Sequence, residues 1–321
     1  MDPRGFCRQS RLVIVAGKGG VGKTTVTAAL ARLASRLGLS VLVVEVEGKS
    51  GLAAAFGAED LSYEESVLSA ASSDTGGEVR ARTVSADVAL VEYLEEHGMK
   101  RMSRRLVRSG AVDVVATATP GIKDILVLGK VKQLERAGVA DLIVLDAPAS
   151  GHAVRFLMSP RALLDTVDAG PIESQATEVL DLVTDPARCQ VMLVTLPEET
   201  PVNEVVETAY ALEDKVGTNL GPVVVNGLYP VRAGLDVDPE AVAGPLGFGL
   251  RPREAEALRG AAAFRMKRQD LQAAQVARLA DALPLPRLRL PALFDVDMGL
   301  PQIDQLADAL ATEIELLEAT P

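Results

Sequence analysis

"LVIVAGKGGVGKTTVTAAL", residues 12–30, carries two phosphate-loop patterns on the same glycines. Gly17, Gly19 and Gly22 spell G-x-G-x-x-G, which is typical of a turn that binds a dinucleotide. Residues 17–24 also spell G-x-x-x-x-G-K-T, the Walker A pattern of a loop that binds a nucleoside triphosphate. The stretch therefore predicts a strand, a phosphate-binding turn and a helix, with two candidate ligands.

The dinucleotide alternative makes a prediction of its own. It requires an acidic residue about 20 positions further on, at the end of the second strand, to bind a ribose hydroxyl. Glu45 and Glu47 stand near that position, so spacing alone leaves this alternative open. It gives no role, however, to the Lys-Thr pair that ends the Walker A pattern.

Binding of a nucleoside triphosphate gives both residues of the Lys-Thr pair a role. Backbone N–H groups of the loop surround the phosphates, the ammonium of Lys23 meets the β and γ oxygens, and the hydroxyl of Thr24 binds Mg²⁺ directly. Such a site also needs an acid at the end of a neighbouring apolar strand to hold a water on the metal, and Asp146 follows "LIVL" in this way. The combined pattern favours ATP or ADP with Mg²⁺ as the ligand.

Short apolar runs alternate with helical stretches along the chain, which is typical of a parallel sheet built from βαβ units. The sequence thus predicts an α/β fold, a doubly wound and mostly parallel sheet of the P-loop NTPase type. Helices are expected over 23–37, 160–184, 252–283 and 302–318. The expected strands are 11–16, 40–46, 140–148, 189–197, 221–230 and 285–293.

Residues 57–115 lie apart from this strand pattern. Stretches 59–72 and 86–109 have apolar residues at helical spacing, so the segment is expected to form a mostly helical subdomain inserted after the second strand. Helices over about 153–185 are expected to complete it. The whole chain, 1–321, is then one P-loop ATPase domain carrying that insertion.

The composition limits the class of protein. The chain is 48% hydrophobic but 3% aromatic, which predicts an aliphatic core, and its net charge is −11. An acidic surface disfavours general binding to nucleic acid or anionic lipid, because both require neutralisation of phosphates. The sequence shows neither a leader's apolar stretch nor a run long enough to cross a membrane, so a cytoplasmic protein without an integral membrane segment is expected.

Lys18 adds a second lysine to the loop. "GKGGVGKTT" (17–25) resembles the deviant Walker A motif of the MinD/ParA/nitrogenase-iron-protein group of dimerising ATPases. This resemblance implies that the extra lysine reaches the nucleotide of the opposite subunit, where it would stabilise charge in the transition state. A solvated surface lysine is the alternative.

Further motifs resemble one branch of that group, the ArsA-type family, which includes arsenite-pump ATPases and tail-anchored-protein targeting ATPases. The resemblance covers nearly the whole chain and is weakest in the helical insertion. The motifs that carry it are "TPGIKDILVLGKV" (119–131), "DAPASGHAVRFL" (146–157), "VTLPEETPVNE" (194–204), "VVVNGLYP" (223–230) and "LPALFDVDMGL" (290–300).

The resemblance implies roles at matching positions. The stretch that begins at Asp146 would be switch II, and Asn226 would flank adenine together with the 291–294 loop. For Asn226 a turn at a strand end is an equally good explanation, and His152 is expected to be an ordinary loop residue. The remaining implied ligands of the nucleotide are Gly17, Gly19, Gly20, Val21, Gly22, Lys23, Thr24, Thr25, Pro291 and Leu293.

The chain departs from the family pattern in switch I. The family typically has D-P-A-H-S, whereas the aligned stretch here is "EGKSGLAAAF" (47–56). Glu47 would position the attacking water with a side chain one methylene longer, and Lys49 and Ser50 replace Ala and His. A misplacement of about 1 Å can cost on the order of a hundredfold in rate, so hydrolysis is expected to be slow.

Metal-binding cysteines are also missing. Cys7 and Cys189 have no ligand spacing, and the only histidines are His97 and His152. The paired cysteines that bridge targeting-ATPase dimers through zinc, and those of the arsenite site, are absent. We therefore expect no structural zinc or arsenic site.

These patterns predict an ATP-binding and ATP-hydrolysing dimeric switch that couples nucleotide state to a client or partner protein. Its dimer partner would be a second copy or a related ATPase chain, and its client a hydrophobic protein. The alternatives are a very slow or non-hydrolysing nucleotide-gated subunit and a MinD/ParA-like positioning ATPase. In "MKRMSRRLVR" (99–108), arginines share one helical face and methionines lie near the other, which fits either an ordinary amphipathic helix or a client surface.

Overall fold

The computed structural model describes residues 1–46, 51–71, 76–96, 98–109, 121–148, 151–166, 170–251 and 253–317. Within them the chain forms an eight-stranded sheet in the order β3-β4-β2-β5-β1-β6-β7-β8. Only β3, at one edge, runs antiparallel to its neighbour. The strands are β1 (Leu12–Gly17), β2 (Val41–Val46), β3 (Ser66–Ser69), β4 (Val79–Val84), β5 (Leu142–Asp146), β6 (Cys189–Thr195), β7 (Val223–Leu228) and β8 (Arg287–Pro291).

Helices cover both faces of the sheet, as parallel strands joined by crossovers require. The described helices are α1 (Pro3–Phe6), α2 (Lys23–Arg36), α3 (Gly51–Ala55), α4 (Ala86–Glu96), α5 (Lys100–Ser109), α6 (Ile122–Ala137), α7 (Gly151–Leu164), α8 (Pro171–Thr184), α9 (Glu199–Lys215), α10 (Pro239–Ala243), α11 (Glu254–Ala282) and α12 (Leu300–Leu316). No helix among the described residues is both long and apolar enough to cross a bilayer.

The core has two layers, one on each face of the sheet. Alternate residues of a strand point to opposite faces, so in β1 the side chains of Leu12 and Ile14 join one apolar cluster. Val13 and Val15 join the other, which α2 and α12 cover. This alternation confirms the doubly wound α/β fold and places the phosphate loop at the carboxyl edge of the central strand.

The strands expected over 11–16, 40–46, 140–148, 189–197, 221–230 and 285–293 are confirmed within a few residues at their ends. The helix expected over 59–72 is wrong. Residues 66–69 form β3, and "VRARTV" (79–84) forms β4 beside β2. Both belong to the main sheet, and the described residues between α3 and α4 contain no helix.

The error has a physical cause in β4. Its buried residues Val79 and Ala81 alternate with arginines, a period of two that marks a strand. Arg80 pairs with Glu65 at 2.5 Å, and the guanidinium of Arg82 lies 4.4 Å from the ring of Tyr63. These partners stabilise the two guanidinium groups within the sheet. From the sequence alone, the same arginines could equally belong to the polar face of a helix.

The helical content predicted for 86–109 is confirmed as α4 and α5, and that for 160–184 falls on α7 and α8. A single domain over 1–321 with a helical subdomain stays a prediction. The described helices that fall largely within the predicted bounds of that subdomain are α4, α5, α7 and α8.

Candidate functional site

The loop between β1 and α2 is shaped by two glycines that no other residue can replace. Gly17 has φ +154°, and a Cβ there would overlap the carbonyl oxygen of Val194 on β6. Gly22 has φ +90°, and a Cβ there would overlap the amide of Asn226 on β7. The loop is thus held between the ends of three neighbouring strands, with the first turn of α2 opening from it.

Lys23 opens α2 and is 7% exposed. Its ammonium donates to the carbonyl oxygen of Lys18 at 2.9 Å, so the side chain folds back over the loop. The N-terminal amide groups of a helix carry a partial positive charge that attracts anions. The ammonium and the helix terminus together make the loop a site for phosphate.

Thr24 is the second residue of the same helix, and its hydroxyl donates to Oδ2 of Asp146 at 2.7 Å. Asp146 ends β5, is fully buried and lies beside Val15 of β1 in the sheet register. A hydroxyl and a carboxylate are oxygen donors of the kind that Mg²⁺ takes. The donors present therefore fit a magnesium ion at this point.

A second carboxylate lies next to Asp146. Glu45 on β2 is its register partner on the neighbouring strand, and 1% of it is exposed. Side chains at paired positions of parallel strands point to the same face, so the two acids form one buried carboxylate pair. Glu45, which the dinucleotide alternative assigns to a ribose, instead belongs to the acidic group beside Thr24.

The residues expected to flank adenine come from the two strands at the other side of the loop. Asn226 on β7 donates its amide to the carbonyl oxygen of Val21, at 2.9 Å, within the phosphate loop. Leu228 pairs with Pro291 of β8, and the amide of Ala292 donates to the carbonyl of Leu228 at 2.7 Å. Asn226, Pro291 and the adjoining Leu293 thus belong to one edge of the sheet, next to the phosphate loop.

A buried glutamine on α11 fixes the turn between these residues. Gln272 is 4% exposed; its amide donates to the carbonyl of Gly227 at 3.0 Å, and its oxygen accepts from the backbone N–H of Tyr229 at 2.9 Å. The ring of Tyr229 meets that of Phe294 edge-on, with centroids 5.1 Å apart. No local pattern in the sequence indicates Gln272, because it lies more than 40 residues from its partners.

Lys18 has its partner on the same chain. Its Nζ lies 2.5 Å from Oε1 of Glu204 on α9, and about a third of each side chain is exposed. Glu204 stands in the "VTLPEETPVNE" stretch but received no role from the sequence, since it is 186 positions from Lys18. The side chain of Lys18 thus pairs with α9, while its backbone carbonyl accepts from Lys23.

Several candidates lie wholly or partly outside the described residues. Glu47, Lys49 and Ser50 belong to 47–50, His97 is not described, and no side-chain position is described for His152. Of the 99–108 segment, the arginines 101, 104, 105 and 108 are exposed on α5. That exposure fits a solvated face, as an amphipathic helix predicts.

The two cysteines are buried. Burial raises the pKa of the Cys7 thiol to about 12 and also raises that of Cys189. Neither is a thiolate near neutral pH, which is the form that binds metals and arsenicals. In the described part of the chain, no group of three or more His, Cys, Asp or Glu residues is placed to hold a metal ion.

Comparison with known proteins adds to this geometry. Residues 10–170 match the model of a family described as anion-transporting ATPase. The chain is 34% identical over 328 residues to the ATPase BagA of Mycobacterium tuberculosis strain H37Rv, covering 94% of this chain and 93% of that protein. It is also 28% identical over 151 residues to the ATPase get3 of Schizosaccharomyces japonicus, covering 47% and 44%.

Proposed function

The chain belongs to the ArsA-type family of anion-transporting ATPases, and from this premise we propose that it is a dimeric switch that hydrolyses ATP and couples its nucleotide state to a client or partner protein. The observation that carries the proposal is the hydrogen bond from the Thr24 hydroxyl to Asp146. Thr24 directly follows the buried Lys23 in the phosphate loop. A helix terminus, a lysine, a hydroxyl and a buried acid are the parts that phosphoryl transfer requires.

We assign the roles as follows. The N–H groups of residues 17–25 and the ammonium of Lys23 bind the phosphates, and this neutralises the charge that grows on the γ-phosphoryl oxygens. Thr24 would bind Mg²⁺ directly, and Asp146 would hold it through a water. When bound, Mg²⁺ supplies Lewis-acid stabilisation of the phosphate charge. Asn226 and the 291–294 loop orient the base.

Lys18 gives the switch its dimeric form. The Lys23 ammonium already occupies the loop, and a second cation at the same oxygens would be repelled at close range. Once released from Glu204, Lys18 would cross an interface to the partner's nucleotide. That arrangement requires two phosphate loops that face each other around a two-fold axis.

Exposed apolar side chains in the segments that follow β7 and β8 support an interface. The segment that follows β7 leaves the sheet at Tyr229, near the phosphate loop, and large hydrophobic residues are then exposed along it. In α11 only Ala255, Gln272 and Leu279 are buried. An apolar surface of this extent is typical of a protein interface. The exposed residues are Val231, Val237, Val242, Leu246, Phe248, Leu258, Phe264, Leu271, Phe294, Val296 and Met298.

We propose that a second copy or a related ATPase chain covers this surface, and that the client is a separate, hydrophobic protein bound in the cytoplasm. An arsenite-stimulated activity is not proposed, because both thiols are buried with raised pKa values. The described residues contain no set of zinc ligands that could replace the missing paired cysteines. The dimer would therefore depend on nucleotide.

Ligand-dependent melting tests the nucleotide assignment. Mg·ATP or Mg·ADP at a hundredfold excess over Kd is expected to raise the Tm by about 5 °C, and NAD(H) to leave it unchanged. Lys23→Met should abolish the shift, while the exposed Lys267→Met should keep it. Stabilisation by NAD(H) with none by either magnesium nucleotide would overturn the proposal.

A further inference from the structure

Two adjoining cavities lie among α4, α6 and α8, away from the nucleotide site. One holds about 280 Å³ and has an apolar lining, and the other holds about 230 Å³ and has a charged lining. Tyr93, Leu126 and Gln175 line both, so the cavities meet at these residues. Together they reach the size of ligand pockets, which is roughly 300–1,000 Å³.

The apolar cavity has hydrophobic walls on all four of the helices that surround it. Leu90 and Leu94 come from α4, Met102 from α5, and Ile172 from α8, with Ile122 and Ile125 at the start of α6. Gln175 is the one amide in this lining. Methionine side chains adapt to ligands of differing shape, so this end suits a flexible hydrocarbon group.

The charged cavity carries a positive excess. Lys130 pairs with Glu92 at 2.6 Å, whereas Glu178 pairs with both Lys132, at 2.9 Å, and Arg136, at 2.6 Å. Among the lining residues, three cations thus face two carboxylates. Arg136 keeps about half of its side chain exposed and has further N–H donors to offer an anion.

Burial of the Lys132 ammonium is unfavourable for stability, so a purely structural role does not explain it. Its side chain is 7% exposed, and its ammonium also donates to the amide oxygen of Gln175 at 2.7 Å. A buried ion pair gives little or no net stability compared with apolar packing. Its placement at a cavity wall is better explained by a ligand that carries negative charge.

One stripe of α6 joins the two ends. Ile122, Ile125, Gly129, Gln133 and Arg136 follow one another at helical spacing along the cavity walls. At 1.5 Å per residue, the stripe runs for about 20 Å, from an apolar start to a charged end. Gly129 lets the Gln175 amide lie against α6 between the two cavities, because a Cβ there would overlap it.

From this arrangement we infer that the two cavities form one binding site for a single-chain amphiphile, with its acyl chain in the apolar end and its anionic head, a carboxylate or a phosphate, beside Arg136 and Lys132. An α-helical peptide does not fit the apolar end, since one turn of a helix about 10 Å wide occupies about 400 Å³ and this cavity holds about 280 Å³. The site is independent of the nucleotide assignment.

Calorimetry with the full chain tests the inference, using laurate, 1-dodecanol and lauroyl lysophosphatidate as probes. Arg136→Gln is expected to weaken laurate binding about tenfold and to leave dodecanol binding unchanged, because only the head contact is lost. Ile172→Asp should weaken all three probes about tenfold or more. The matched controls are Arg101→Gln, an exposed arginine of α5, and Val88→Asp, which is as exposed as Ile172 but lines neither cavity.

Tighter binding of lysophosphatidate than of laurate, with the same response to the variants, would identify the head as a phosphate; the reverse order would identify a carboxylate. ATP turnover should be unchanged in all four variants, which shows that they fold. Absence of laurate and lysophosphatidate binding below their micellar range would overturn the inference. So would equal losses in Arg136→Gln and Arg101→Gln, or binding of an apolar peptide in place of both amphiphiles.

Discussion

The Nζ atom of Lys18 lies 2.5 Å from Oε1 of Glu204, so the second lysine of the phosphate loop is held by α9 of its own chain. Lys23, five residues later, contacts the carbonyl of Lys18 instead. The two ammonium groups of one loop therefore have separate partners. Any role of Lys18 in a neighbouring subunit requires the Glu204 contact to break first.

Glu204→Gln is expected to favour the nucleotide-dependent dimer. A half-exposed ion pair contributes about 1 kcal/mol or less, so its loss should raise the dimerisation constant by up to about fivefold. Sedimentation with Mg·ATP, at several protein concentrations, measures this constant. Glu207→Gln, an exposed acid one turn further along α9, is the control. An unchanged constant in Glu204→Gln would show that the ion pair does not restrain Lys18.

Lys18→Ala is expected to lose hydrolysis while keeping nucleotide affinity near that of the wild type. In the proposed mechanism the Lys18 charge acts in the transition state, where an equivalent cationic finger contributes about 10³-fold or more to the rate. Phosphate release and ADP titration separate the two quantities. In an equimolar mixture with Lys23→Met, which keeps Lys18, partial recovery of turnover would support action across the interface.

Two observations together would contradict a role of Lys18 across a dimer interface. If the protein is monomeric in every nucleotide state, alone and with any copurifying chain, and Lys18→Ala turns over normally, then Lys18 is a surface charge. The ion pair with Glu204 would in that case be an ordinary surface contact.

Thr24→Val is expected to remove the magnesium dependence of nucleotide binding. The substitution keeps the shape of the side chain but deletes the hydroxyl that faces Asp146 at 2.7 Å. ADP affinity should then be the same with Mg²⁺ and with EDTA, and at least about tenfold below that of wild type with Mg²⁺. Thr312→Val, on the exposed side of α12, is the control. A full magnesium effect in Thr24→Val would remove Thr24 from the metal site.

Four of the strands that carry the site could be predicted because each is buried on both faces and is therefore a largely apolar run. β1, β2, β5 and β6 have this pattern. β4 lacks this pattern because it contains two arginines. They are tolerated in the sheet because partners such as Glu65 neutralise them, and a local sequence pattern does not reveal such tertiary pairing. β3 is likewise short and only partly buried, and its pairing with β4 depends on a contact that no local pattern indicates.

The same distinction separates the parts of the site. Lys23, Thr24 and the loop glycines follow one another in the sequence, and their spacing alone indicates the chemistry. Glu204 on α9 pairs with Lys18 in the phosphate loop, and Gln272 on α11 donates to the carbonyl of Gly227 at the end of β7. No spacing rule connects these residues to their partners, so their contacts could be identified only from the folded structure.

Asp141 predicts a pH dependence of stability at the start of β5. Its carboxylate accepts from both the backbone N–H and the hydroxyl of Ser40, each at 2.8 Å, and these bonds hold its pKa below the ordinary value. The stabilisation is full above the unfolded pKa of about 3.9 and is lost as the pH falls through the lower folded value.

Asp141→Ala should therefore lower the free energy of unfolding at pH 7 by less than about 1 kcal/mol, because solvent screens this exposed carboxylate, and the difference from wild type should shrink as the pH falls below about 4. Urea unfolding at several pH values measures it. Asp60→Ala, an exposed acid beyond α3, should show no such trend. A constant difference between Asp141→Ala and wild type across this range would mean that the charge of Asp141 is not involved.

Glu47, which lies outside the described residues, is predicted from the aligned switch I stretch to position the attacking water. A shorter acid meets that water directly, so Glu47→Asp should raise turnover, whereas Glu47→Ala should lower it about tenfold or more. ADP affinity should stay within about twofold in both. Glu59→Asp and Glu59→Ala, at an exposed acid in the following segment, are the controls.

If Glu47→Ala is as active as wild type, the water must be positioned by another group. Glu45 is then the next residue to test, because it is buried on the strand beside Asp146 and shares its face of the sheet. Glu45→Gln keeps the volume of the side chain and removes its charge. Loss of turnover in Glu45→Gln, with ADP affinity retained, would assign the water to the buried carboxylate pair; normal turnover in both variants would assign it to the partner subunit.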